Sequence, residues 1–144
     1  MKIIYNSLIP FPGYAYMNLF GILFGRKDQK LKLTQRTINH ESIHSEQYKD
    51  LLYIFFLPLY LLEWIIKIPF SLFYKRKYKN GRNVTKVAYR SISLEQEAFY
   101  YQYDYDYLNH RKRYNWIKYI FKMFDPEKVI ENNGPEIYVN NKIK

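Results

Sequence analysis

The sequence predicts an α+β fold, mainly α: a small N-terminal antiparallel sheet followed by about four helices, within a single domain spanning 1–144 whose residues 126–144 form an irregular tail. Three observations carry this prediction. Residues 2–25 hold short apolar runs broken by Pro10, Pro12 and Gly13, the punctuation of strands and turns. Residues 35–57 contain neither Pro nor Gly and follow Thr34, a good helix N-cap. Residues 93–110 are again free of breakers and open on Ser93 and Gln96, spaced as a capping box.

Taken in order, Ile3-Ile4-Tyr5 opens the sheet, and the run Leu19 to Phe24 is expected either at its open edge or as a buried central strand. Arg26 to Lys32 is a polar turn, after which Leu31-Lys32-Leu33 can pair back. Helix one should span 35–57, with Leu33 packing on Ile38 as a hydrophobic staple and Pro58 ending or kinking it. Helix two should follow over 59–74. Residues 75–87, basic and carrying Asn80-Gly81, read as a loop. Helix three is expected from 93 to 110, the capping evidence overriding the strand-like alternation of Tyr101 to Tyr107. A fourth helix should occupy 114–124, before Asp125-Pro126.

A chain of 144 residues that is 48% hydrophobic and 20% aromatic has material for a real core, and its composition excludes disorder over most of its length. Without cysteine there is no disulfide, no thiolate metal site and no thiol nucleophile. The N-terminus is not expected to be a signal peptide, because Pro10 and Pro12 interrupt any apolar stretch. The formal charge of +10 admits nucleic acid, an anionic membrane or compositional bias as explanations. No nucleic-acid motif accompanies it, so nucleic acid is disfavoured as a partner. The basic run Lys75-Arg76-Lys77-Tyr78-Lys79 directly follows the most apolar stretch, a placement that suits a membrane surface better.

That stretch, 51–74, is long enough to span a bilayer. Glu63, Lys67, Pro58 and Pro69 fall inside it, each costly in hydrocarbon. A single crossing would also separate the motif described next from any ligand later in the chain. A buried core helix is therefore expected, with peripheral contact to an anionic membrane surface as the second reading. The expected location is cytoplasmic, or peripheral at the inner membrane.

His40-Glu41-Ser42-Ile43-His44 is the segment that carries chemistry. On a helix, residues four apart stack on one face, so both imidazoles can reach one Zn²⁺. Glu41, turned by about 100°, lies beside a water on the metal without being a ligand, the place of a general base. This is the H-E-x-x-H signature of zinc hydrolases. Catalytic zinc needs a third protein ligand. His110 would lie about 22 Å along a continuous helix from Glu95, so the two cannot serve together. Glu63 is a candidate, although in so apolar a helix one acid more often is a hydrogen-bonded core group. Glu95 and Glu97 are the better pair. They are about 200° apart around a helix, so only one can face the metal.

With these residues the chain resembles the gluzincin class of zincin metallopeptidases, in which a Glu from a later helix, often in E-x-x-A, joins the two His. Glu95-Gln96-Glu97-Ala98 fits that pattern. The resemblance implies a minimal zincin-like fold, His40, His44 and Glu95 as metal ligands, Glu41 as general base, Zn²⁺ as cofactor and a peptide or protein substrate bound along an edge strand. Glu97 stays open as the alternative third ligand. Phe99 stands where the class usually has an acidic or amide residue, and Gln47 where many members have an apolar one. Tyr89 to Ala98 with the H-E-x-x-H helix and the apolar second helix also resembles a family of small bacterial proteins, which implies no substrate. Tyr89, Arg90, Tyr100, Tyr101 and Tyr103 are available to steady an oxyanion. The expected function is zinc-dependent hydrolysis of peptide or amide bonds. The alternatives are a zinc-binding protein without turnover and a peripheral membrane or interaction protein.

Overall fold

The computed structural model describes residues 2–10, 14–74, 83–129 and 138–139. The basic run after Tyr74, Asn80-Gly81 and most of the expected tail lie outside these residues. The fold is α+β and mainly α, with a small N-terminal sheet ahead of the helices, as the sequence predicts.

The sheet has three strands, β1 (Lys2–Asn6), β2 (Tyr16–Leu19) and β3 (Ile22–Arg26), in the order β1-β3-β2. It is mixed rather than antiparallel, because β1 runs parallel to β3 while β2 is antiparallel to it. The expected strand over Leu19 to Phe24 is split by a hairpin turn at Phe20-Gly21: Leu19 ends β2, and Ile22 to Phe24 lie in β3, the central strand. Phe20 and Gly21 both take left-handed backbone angles (φ 53° and 80°), the requirement of a two-residue turn matched to strand twist. The Asn18 side chain accepts from Gly21 N–H at 2.9 Å and closes that turn. β2 is left as an outer strand of the sheet.

Helix α1 (Gln35–Asp50) starts where expected, with the Thr34 hydroxyl accepting from Thr37 N–H at 3.2 Å. It stops well short of Pro58. Leu52 and Tyr53 are left-handed (φ 51° and 63°), and Leu52 N–H and Tyr53 N–H return to the carbonyls of Lys49 (3.2 Å) and Tyr48 (2.7 Å). That pattern is a Schellman cap with Leu in the place usually held by Gly. Helix α2 (Phe56–Tyr74) then begins before Pro58 instead of after it. In the first turn Pro58 costs no helical hydrogen bond, since that N–H would have no partner.

Helix α3 (Val84–Ser91) replaces the C-terminal part of the expected loop and is capped by Asn83. Helix α4 (Ser93–Tyr101) follows after Ile92 alone. The capping box is not formed. Glu63 of α2 takes its place, accepting from Ser93 N–H and Ser93 Oγ at 2.6 Å each. Gln96 instead donates to Ser91 O and Lys122 O at 2.7 Å. α4 ends at Tyr101 rather than continuing to 110. The Asn39 amide donates to the carbonyls of Tyr101, Gln102 and Asp104 at 2.9–3.0 Å, holding the chain in a loop. A single turn, α5 (Tyr107–His110), comes after it.

The expected fourth helix is only a 3-10 segment, Asn115–Tyr119. Beyond it the carbonyls of Ile120 and Lys122 accept from Lys67 Nζ (2.7 and 2.6 Å), which competes with their use in a helix. Val139 N–H donates to Leu33 O at 2.8 Å, so Leu33 pairs with the tail. The core gathers where α1, α2 and α4 meet: Tyr48 stacks on Phe56 with centroids 3.8 Å apart, beside buried Ile92, Leu94 and Trp116.

Most of α2 is not buried, contrary to expectation. It is long and apolar enough to cross a membrane, yet only 22% of its most apolar window is inside the protein. Its buried positions include Glu63, Lys67 and Ser71.

Candidate metal centre

Helix periodicity stacks His40 and His44 on the face of α1 that meets α4. Their Nε2 atoms are 3.2 Å apart and the rings are near perpendicular, at 82°. Glu95, in the first turn of α4, straddles them, with Oε2 at 3.5 Å from His40 Nε2 and Oε1 at 3.4 Å from His44 Nε2. The three donor sets lie within 4.8 Å of one another. Tetrahedral bonds of about 2.0–2.1 Å would put ligand atoms about 3.3–3.4 Å apart; the two Nε2 atoms are close to that spacing, and each has a different Glu95 oxygen at a similar distance. Glu95 Oε2 is also buried without a hydrogen-bond partner, a costly state that an ion would relieve. His40, His44 and Glu95 can therefore hold a metal ion.

Each of the three side chains is steadied by a neighbour. His44 Nδ1 sits 2.7 Å from Gln47 Oε1. An amide oxygen can only accept, so Nδ1 keeps its proton and Nε2 faces the ligand cluster. Gln47 Nε2 in turn donates to Glu97 Oε2 (2.8 Å) and Leu94 O (3.0 Å). Tyr107 Oη (2.7 Å) and Arg111 Nε (2.8 Å) donate to Glu97 Oε1, and Arg111 Nη2 also reaches Asp50 at 2.8 Å. Glu97, the alternative third ligand, is therefore engaged in a buried ion pair behind His44. The rotation between the two acids settles which one faces the imidazoles, and it is Glu95. Tyr60 Oη donates to Glu95 Oε1 at 2.8 Å, and Phe99 packs edge-on against the His40 ring at 4.8 Å.

Glu41 is buried, and β2 approaches it: Asn18 Nδ2 donates to Glu41 O (2.7 Å) and Ser45 Oγ (2.8 Å). Burial pushes its carboxyl up, the nearby imidazoles pull it down and the Glu95 charge pushes it up again, with a net rise. Burial alone would raise Glu95, but the His44 charge and its contacts with both imidazoles outweigh this and hold it below the carboxylate range. His44 is the reciprocal case: burial disfavours its charge, the Glu95 carboxylate restores it, and its pKa rises to about 9.

Two cavities meet at Glu41. One of about 440 Å³ runs past His40, Arg36, Arg90 and Tyr103. The other, about 140 Å³, holds His44 and Glu95 with Tyr60 and Tyr89. Of the residues considered for an oxyanion role, Tyr89, Arg90 and Tyr103 line these spaces. Tyr100 stacks on Phe124, and Tyr101 on Tyr107. His110 is exposed beside Asp104 and Asp106 and takes no part. Glu63 is the hydrogen-bonded core group described above.

From the sequence Gln47 stands out only as a departure from the gluzincin pattern, and nothing marks Asn39, Asp50, Arg111 or Tyr60. Gln47 had a local signal, being three residues from His44 on one helix face. The others act across the fold. No protein-family model, curated protein or solved structure matches the chain. Fold and site together define an α+β domain in which two His and one Glu form a group that could hold a metal ion.

Proposed function

We propose that this protein is a gluzincin-like, zinc-dependent hydrolase of peptide or amide bonds, with His40, His44 and Glu95 as ligands and Glu41 as general base. The spacing of the three ligands around one point, with Glu41 at the junction of two cavities, is the observation that carries this reading. Two imidazoles and one carboxylate suit Zn²⁺, and three protein ligands leave a position open. When bound, zinc would supply Lewis acidity that polarises a carbonyl and acidifies a water.

The chain's own residues supply the rest. Glu41, its carboxyl raised by burial, is a stronger base than an exposed Glu and can hold a proton and return it to a leaving amine. Gln47 and Glu97 fix the ring of His44, so the ligand geometry exists before substrate arrives. Tyr89 borders the cavity that contains His44 and Glu95, in reach of a developing oxyanion there. β2, an outer strand tied to α1 through Asn18, offers an extended peptide an edge on which to add as a strand. Arg36 and Arg90 in the larger cavity favour an acidic group on the substrate.

Glu41→Gln tests this reading. The variant should bind one zinc per chain like the wild type while cleavage of a peptide mixture, followed by mass spectrometry, falls at least about a hundredfold. Equal cleavage by both, or none by the zinc-loaded wild type, would overturn it.

A further inference from the structure

Helix α2 is built inside out for a helix on a water-soluble domain. Glu63, Lys67 and Ser71, its two charged side chains and its serine at helical spacing, face inward. There Glu63 binds the start of α4, and Lys67 Nζ binds the carbonyls of Ile120 and Lys122. The outward stripe is Leu61, Leu62, Ile65, Ile66, Phe70 and Phe73, each about half exposed or more and Phe73 82% exposed. Phe121, on the segment that Lys67 holds against α2, is 98% exposed and borders a cavity together with Tyr74 at the end of the helix. Ile54 and Phe55 continue the stripe ahead of the helix. So broad an apolar surface marks an interaction site.

Charge identifies the partner. The chain carries a formal +10, and Lys75, Arg76, Lys77, Lys79 and Arg82 follow α2 directly in the sequence. A second copy on this face would bring like charges together, whereas anionic headgroups beside an acyl layer satisfy both the bases and the apolar stripe. The helix lies along the domain and does not project from it. Phe56 stacks on Tyr48 at one end, Glu63 binds α4 midway, and Lys67 binds the 120–122 segment further on. A crossing would drag those polar groups into hydrocarbon; lying flat immerses only the outward stripe.

We propose that the outward face of α2, together with exposed Phe121, docks this protein onto an anionic lipid bilayer, with the helix in the plane of the headgroup–acyl boundary. The face is continuous with the metal centre. Leu57, on the exposed side at the start of α2, also lines the cavity that holds His44 and Glu95. A groove of about 750 Å³, bordered by Tyr60, Trp64, Tyr89 and Phe99, runs beside it. Docking would set the mouth of the site at the membrane surface.

The test uses the full chain and vesicles of phosphatidylcholine, alone or mixed three to one with phosphatidylglycerol. The protein should float with the mixed vesicles, several-fold more than with the neutral ones, and binding should weaken between about 0.05 M and 0.5 M salt. The triple variant Leu61→Gln, Ile65→Gln, Phe73→Gln, checked for unchanged circular dichroism, should bind about tenfold less or weaker still. The native chain has no cysteine, so an environment-sensitive dye can be placed on Leu62→Cys or, as a control, on Asp106→Cys. The first should blue-shift and be quenched by nitroxide lipid, and the second should not. Metal-free protein should bind equally, which separates this proposal from the hydrolase reading. Absence of flotation, equal binding to neutral vesicles, a dye at position 62 that stays in water, or sedimentation showing a dimer that the triple variant dissociates would each overturn it.

Discussion

Burial works against charge on both His44 and Glu95, and each keeps its charge because of the other. The sign of the resulting pH dependence follows. His44 is raised from 6.5 to about 9, so its contribution to the stability of the metal-free fold is complete below 6.5 and is lost as pH rises through about 9. Glu95 is held below its ordinary 4.5, so its contribution is present above that value and is lost in stronger acid. The pair should stabilise metal-free protein most between pH 4.5 and 6.5, as urea midpoints across pH would show. Zinc bound as proposed would displace the His44 proton, so zinc affinity should climb with pH toward about 9, with proton release visible by calorimetry in buffers of different ionisation enthalpy. The two acids of α4 separate at the same scale. Glu95→Ala should abolish stoichiometric metal with modest loss of stability. Glu97→Ala should strip buried Arg111 of one of its two carboxylate partners, costing about 3 kcal/mol in urea unfolding, and weaken metal about 10–100-fold by freeing Gln47.

Helix ends carry the main departures from local expectation. The Schellman cap after α1 places Leu52 at φ 51°, where an L side chain is strained. Leu52→Gly should therefore stabilise the fold by about 1 kcal/mol, read as a higher urea midpoint with an unchanged slope. A lower midpoint would mean that the exposed Leu52 side chain does more than the cap geometry suggests. At the start of α4 the helix dipole and the first N–H groups favour a carboxylate. That carboxylate comes from Glu63 on α2, thirty residues earlier, in place of the expected Ser93–Gln96 box.

Across the whole molecule, the proposed ligands come from two helices held by one core, so a metal that binds only this arrangement should stabilise all of it. Zinc at about a thousand times its dissociation constant should add about 4 kcal/mol. A raised thermal midpoint on adding zinc to metal-free wild type, and none for Glu95→Ala, is the expected result. The same scale explains what could be read in advance. Thr34 as a cap, the facing pair His40 and His44, and Glu41 beside them depend only on neighbours within a turn or two, because helix geometry repeats every 3.6 residues. A mainly α fold behind a small N-terminal sheet was legible for the same reason. The choice of Glu95 over Glu97, the Glu63 cap, the loop that Asn39 imposes after Tyr101 and the outward stripe of α2 depend on groups far apart in the chain. Periodicity says that a helix has an apolar face. Only packing decides whether that face meets the core or looks away from it, and α2 turns its charges inward because α4 and the 120–122 segment offer them partners there.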